Sequence, residues 1–206
     1  MFLFVKENTM SQLIEAMSDV DLLGMLVGNA TAVRMLHEAG GSLATLLNES
    51  VPSCHVQPRA RTRLQVAKEL VRRSLIEAVR QRDVLASPGS VRDYLRVTLA
   101  GRDYEVFMVL FLDAQHRVIA PEEMFRGTLT QTSVYPREVV KRSLANNAAA
   151  VIFAHNHPSG VAQPSHADEL LTRQLKEALA LVEVKVLDHF VVAGTAVMSF
   201  AERGLL

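Results

Sequence analysis

Hydrophobic positions in the first third of the chain recur at helical spacing. Between Met10 and Val27, the residues Leu13, Ile14, Met17, Val20, Leu23 and Leu26 predict two helices divided near Ser18-Asp19. A second pattern covers Ala30 to Ala39 and stops at Gly40-Gly41, and Ser42 offers an N-cap for a short helix through Leu47. Residues 48–58 have the Ser, Pro and Asn content of a loop, and a longer helix is expected from Ala60 to Arg82. Residues 1–9 fit no pattern. Asp83 to Gly89, with Ser87-Pro88-Gly89, reads as a hinge between two halves.

Beyond the hinge the pattern changes. Ser90 can cap a helix to about Ala100 with Val91, Tyr94, Leu95 and Leu99 on one face. Tyr104 to Leu112 is almost continuously apolar, which predicts a central strand covered on both sides. Asp113 to His116 makes a turn, Val118-Ile119 starts a partner strand, and a third short strand is expected from Met124 to Thr130. Pro136 suits the first turn of a helix to Leu144, with Glu138 near its start and Lys141-Arg142 near its end. Ala148 to Ala154 is a second buried strand, Pro164 to Leu181 a helix, Glu183 to Val192 a strand, and Ala196 to Phe200 an edge strand. This order implies an α/β layer fold around one sheet, with a site at strand C-terminal ends beside a helix N-terminus.

Composition narrows the class. With 206 residues and 49% apolar content the chain has enough material for one or two ordinary buried cores. Lys plus Arg balances Asp plus Glu at 22 each, so no global field draws the protein to nucleic acid or membrane. The balance is local: Arg59 to Arg82 holds seven arginines and one lysine against two glutamates. A single cysteine, Cys54, excludes an intramolecular disulfide and any Cys-rich zinc cluster, and fits a reducing cytoplasm. Neither a secretory leader nor a membrane span is expected, and the cytoplasm is the predicted compartment.

The chemistry concentrates between Ala150 and Glu169. An apolar run of strand length delivers His155 and His157, which an extended backbone turns to the same side. Pro158-Ser159-Gly160 makes a turn, and Pro164-Ser165 opens a helical pattern whose first turn holds Asp168. Two imidazoles and a carboxylate form a three-ligand set that leaves zinc an open position for water. Ser165 with Asp168 three residues later is also a capping-box-like pair. Capping does not account for the coincidence of His-x-His, the turn and Ser-x-x-Asp within fourteen residues.

His155-x-His157-Pro-Ser-Gly followed by Asp168, with Ser165 inside, resembles the JAMM (MPN+) metalloprotease signature. Together with Phe125 to Leu129, Val134 to Glu138 and Val186 to His189, it makes the sequence similar to the RadC family, closely over 84–206 and loosely over 18–82. The resemblance implies an MPN/JAB domain over 84–206, cytidine-deaminase-like in architecture, with a central mixed sheet and flanking helices. A small all-α domain over 1–83 precedes it. It implies one Zn2+ per chain on His155, His157 and Asp168, with Glu105 as general base and Ser165 donating to the oxyanion. Peptide or isopeptide hydrolysis of a protein substrate is the implied reaction. Glu122 and Glu123 are alternatives to Glu105, but beside Pro121 they are expected in a loop.

The family's first domain resembles a helix-hairpin-helix module, yet Val51 to Arg59 lacks the glycine that lets a backbone approach phosphate. A DNA-associated repair or recombination role therefore rests on Arg59, Arg61, Arg63, Arg72 and Arg73. An inactive MPN scaffold is a further alternative, ranked lower because every ligand position is filled. A zinc deaminase needs a Cys-x-x-Cys pair and a zincin a His-Glu-x-x-His, and both are absent. His37, His55, His116 and His166 read as solvated; His189, beside Asp188 in a strand, could support a metal ligand from behind and is left uncommitted.

Overall fold

The computed structural model describes residues 12–47, 58–80, 83–84, 88–127 and 133–206. Compactness divides the chain into Met1–Glu69 and Leu70–Leu206. In the first unit, α1 (Asp19–Val27), α2 (Asn29–Glu38) and α3 (Leu43–Leu47) precede the long α4 (Pro58–Arg80), which runs into the second unit. Ser18 caps α1 by accepting from the Asp21 N–H, and Ser42 accepts from the Thr45 N–H at the start of α3. Leu23, Val27, Ala32, Met35, Leu46, Ala60 and Leu64 make this unit's core. The expected loop at 48–57 lies outside the described residues.

The second unit is a five-stranded mixed sheet in the order β2-β1-β3-β4-β5. Its elements are α5 (Pro88–Leu99), β1 (Val106–Leu112), β2 (Val118–Arg126), α6 (Pro136–Ala145), β3 (Ala150–Asn156), α7 (His166–Ala180), β4 (Lys185–Ala193) and β5 (Ala196–Ser199). β1 pairs antiparallel with both β2 and β3, and β4 runs parallel to β3 after the crossover through α7. Alternate residues separate two cores. Met108, Leu110, Ile152 and Ala154 face α5, whereas Phe107, Val109, Val151 and Phe153 face α6 and α7.

Two register irregularities matter for the site. β4 carries an extra residue relative to β3: Val151 pairs with Val186, but Ile152 pairs with Asp188, so Leu187 is bulged out of the ladder. β2 also slips between Phe107 and Met108 of its partner, and it corrects the expectation of two short strands with a loop between them. Pro121, Glu122 and Glu123 lie inside one strand, opposite Leu110, Val109 and Met108. An edge strand tolerates a proline that cannot donate to a ladder. Its acids are neutralised from a distance, Glu123 by Arg102 at 3.0 Å and Glu122 by Arg142 at 2.8 Å. The end of the expected third strand, residues 128–130, lies outside the described residues. Among those residues no helix is long and apolar enough to cross a membrane.

Candidate metal centre

One strand and one helix end supply the site. β3 is buried throughout, because Ala150 to Ala154 carries only small or apolar side chains before His155. Its pleat turns Val151, Phe153 and His155 to one face, and His157 follows immediately, its N–H donating to Val192 O of β4 at 2.9 Å. The chain then reverses, with the Gly160 N–H donating to His157 O at 3.1 Å. Gly160 holds φ +78°, a left-handed conformation open to glycine without steric cost.

α7 then brings Asp168 back. Ser165 Oγ accepts from the Asp168 N–H at 3.2 Å, while the Asp168 carboxylate accepts from both the Ser165 N–H and its hydroxyl at 2.7 Å. This reciprocal cap fixes the carboxylate at the strand ends. Leu171, Leu175 and Leu179, one turn apart, seat the helix on the sheet.

The ligand atoms of His155, His157 and Asp168 all lie within 4.8 Å of one another. His155 Nε2 stands 2.9 Å from His157 Nε2 and 3.4 Å from Asp168 Oδ1, and His157 Nε2 stands 3.5 Å from Asp168 Oδ2. His157 Nδ1 is 2.8 Å from Val161 O. A carbonyl only accepts, so Nδ1 carries the hydrogen and the lone pair of neutral His157 sits on Nε2, facing His155. Facing nitrogens at that separation call for a proton or a cation between them. Around a tetrahedral zinc with bonds of about 2.0–2.1 Å, neighbouring ligand atoms stand about 3.3 Å apart. The observed separations bracket that value, so the group could hold a metal ion.

Electrostatics prepare the donors. The hydrogen bond to Asp168 raises the His157 pKa, and the Glu105 charge adds to the effect. Burial alone would raise the Asp168 carboxyl, but the imidazoles of His155 and His157 close beside it, which can donate to it when protonated, outweigh burial and hold the group far below the usual carboxylate range. Asp168 is therefore an anion at neutral pH.

Glu105 immediately precedes β1 and is half-buried. Glu105 lies two residues before Phe107, the β1 partner of His155, and its charge reaches His157. Ser165 is exposed and its hydroxyl is engaged with Asp168. Glu122 and Glu123 are held by Arg142 and Arg102. His37 and His166 are exposed, and His116 lies 3.7 Å from Asp83, away from the site; His55 lies outside the described residues. On α4, Arg59, Arg61, Arg63 and Arg73 are exposed and Arg72 is half-buried, while Arg63 donates to Leu26 O at 2.9 Å.

Two residues exceed what the sequence disclosed. Asn156 is buried on the opposite face from the histidines. Its Oδ1 accepts from the Val106 N–H at 2.8 Å and its Nδ2 donates to Tyr104 O at 2.9 Å, clamping the backbone on both sides of Glu105. His189 is fully buried, with Nε2 2.8 Å from His155 Nδ1. A polar side chain inside an apolar strand was the only signal for either, because both sets of partners are distant in sequence.

A family model described as a RadC-like JAB domain matches residues 85–205. The UPF0758 protein of Leptothrix cholodnii is 54% identical over 202 residues, covering 93% of this chain and 91% of that protein. The UPF0758 protein of Dechloromonas aromatica is 55% identical over 204 residues, covering 93% and 90%. With the ligand group at the end of β3 and the matched region spanning the whole sheet, the chain belongs to the RadC family and carries its JAB domain.

Proposed function

We propose that the protein is a zinc-dependent hydrolase that cleaves a peptide or isopeptide bond. The observation that carries this reading is the convergence of two imidazole Nε2 atoms and one ionised carboxylate within 4.8 Å. A zinc ion held there supplies a Lewis acid and lowers the pKa of water toward about 7.

The chain's own residues do the rest. Glu105, whose charge reaches His157, takes the proton released by the attacking water and delivers it to the leaving amine. Ser165 donates to the oxygen that gains charge at the cleaved carbonyl. Its single hydroxyl hydrogen is engaged with Asp168, so it must swing away to do this. The Ser165 N–H can keep holding the carboxylate meanwhile. His155 and His157 are held at the strand end by the sheet and by Val161 O, so the donors need little reorganisation.

Zinc content of the purified full chain, measured beside His157→Ala, tests the reading, followed by cleavage of peptide and isopeptide libraries. About one zinc per wild-type chain is expected, with loss in the variant. A folded wild type that refuses added zinc overturns the proposal. Zinc without any cleavage converts it to an inactive scaffold. The exposed arginines of α4 favour a second reading, contact with nucleic acid, whose mark is salt-dependent binding indifferent to zinc.

A further inference from the structure

His189 is a polar ring in an apolar place. It has no exposed surface, stacks on Phe200 at 4.7 Å between centroids, and meets Phe107 and Phe153 edge-on at 5.6 and 5.7 Å. Phenylalanine or leucine would fill such a pocket without burying two nitrogens. Both nitrogens are used: Nε2 lies 2.8 Å from His155 Nδ1 and Nδ1 lies 2.6 Å from Thr172 Oγ1. Thr172 Oγ1 in turn lies 2.6 Å from Asp168 O.

The direction of every hydrogen in this chain follows from one group. Asp168 O is a peptide carbonyl and only accepts, so the Thr172 hydroxyl hydrogen points to it. Thr172 Oγ1 must then accept from His189, which places the His189 hydrogen on Nδ1. Among aromatic rings and away from water this imidazole is neutral, which leaves its Nε2 a lone pair. That lone pair accepts from His155 Nδ1–H, so the lone pair of neutral His155 is on Nε2, the atom turned toward His157 and Asp168.

We propose that His189 and Thr172 are positioning residues that lock His155 in its metal-binding tautomer and tie it to the first turn of the helix that carries Asp168. The inference rests on the metal reading above. It is set against a plainer one, in which Thr172 makes the ordinary helical bond to the carbonyl four residues back and His189 is a satisfied core histidine. The two differ in what removal of the Thr172 hydroxyl does: the relay predicts a loss of metal affinity, the plainer reading a loss of stability alone.

Zinc affinity is measured on the full chain by competition with a chromophoric chelator for wild type, Thr172→Val and Thr172→Ser. Melting temperature and the imidazole nitrogen shifts of the metal-free proteins are recorded alongside. Thr172→Val keeps the shape and removes the hydroxyl, and a weakening of about 10- to 100-fold is expected, the usual effect of losing such an outer partner. Thr172→Ser restores wild-type affinity. In metal-free wild type the His189 hydrogen resides on Nδ1, and in Thr172→Val that preference is lost. A folded Thr172→Val that binds zinc like wild type, or a serine variant as weak as the valine one, overturns the relay alone. A wild type that binds no zinc overturns the metal reading, and the relay with it.

Discussion

The two faces of the sheet begin alike and end differently. Under α5, Met108, Leu110, Ile152, Ala154, Phe190 and Val192 keep an apolar core along the strands. Under α6 and α7, Val151 and Phe153 are equally dry, but the next residues of the same parity are His155 and His157. Within two pleats the second face passes from core to polar cluster. Donors placed this way inherit the rigidity of the packed strand, while the first face supplies cohesion and, through Asn156 at its end, the hold on the backbone beside Glu105.

The sharpest test of this division is to cut a donor. His157→Ala is expected to abolish stoichiometric zinc and amide cleavage while circular dichroism stays native, and parallel loss of fold would mean the two faces are not separable. Leu95→Ala, on the dry side, opens a cavity at a fully buried position and should cost roughly 2–5 kcal/mol in denaturant unfolding. Zinc affinity per folded molecule should not change. Between them stands Asn156, whose side chain reaches from the strand of the histidines to the backbone beside Glu105. Asn156→Ala leaves a buried N–H and C=O unpaired, a loss of about 1–3 kcal/mol. It should lower turnover while zinc stays bound, and a variant as active as wild type would show that the clamp does not position Glu105.

Smaller effects are expected at the margins. Ser165→Ala removes the helix cap and should cost about 1 kcal/mol of stability. The acid limb of stability should report the edge strand. The hydrogen bond from Arg142 lowers the Glu122 pKa, so the pair stabilises fully above the unfolded carboxyl value of about 4.3. That contribution disappears as pH falls through the lower folded value. Being partly exposed, it amounts to no more than about 1 kcal/mol. Glu122→Gln should flatten this part of the pH–stability curve, and an unchanged curve would remove the pair from the account.

Local signals made much of this legible. The apolar run into β1, the strand that ends in His155, the proline at the start of α6 and the Ser165–Asp168 cap are all decided within a few residues. The clustering of His155, His157 and Asp168 could be read because strand parity aligns the histidines and the helix cap turns the carboxylate. The middle of β2 was not legible, since Pro121, Glu122 and Glu123 look like a loop until Arg102 and Arg142 approach from 21 and 20 residues away. Asn156 and His189 were hidden for the same reason, with partners 50 and 34 residues distant.

His189 has a further disguise. Counted strictly from Val186, alternation would put Asp188 on the face of His155 and His189 in the dry core. The bulge at Leu187 exchanges them, pairing Asp188 with Ile152 and His189 with Phe153. The bulge is thus as much a functional property of β4 as its composition. A β4 that paired Leu187 with Ile152 would keep both residues in the chain yet turn a carboxylate to the face of His155 and an imidazole under α5, whereas removal of the bulged residue leaves His189 opposite Phe153.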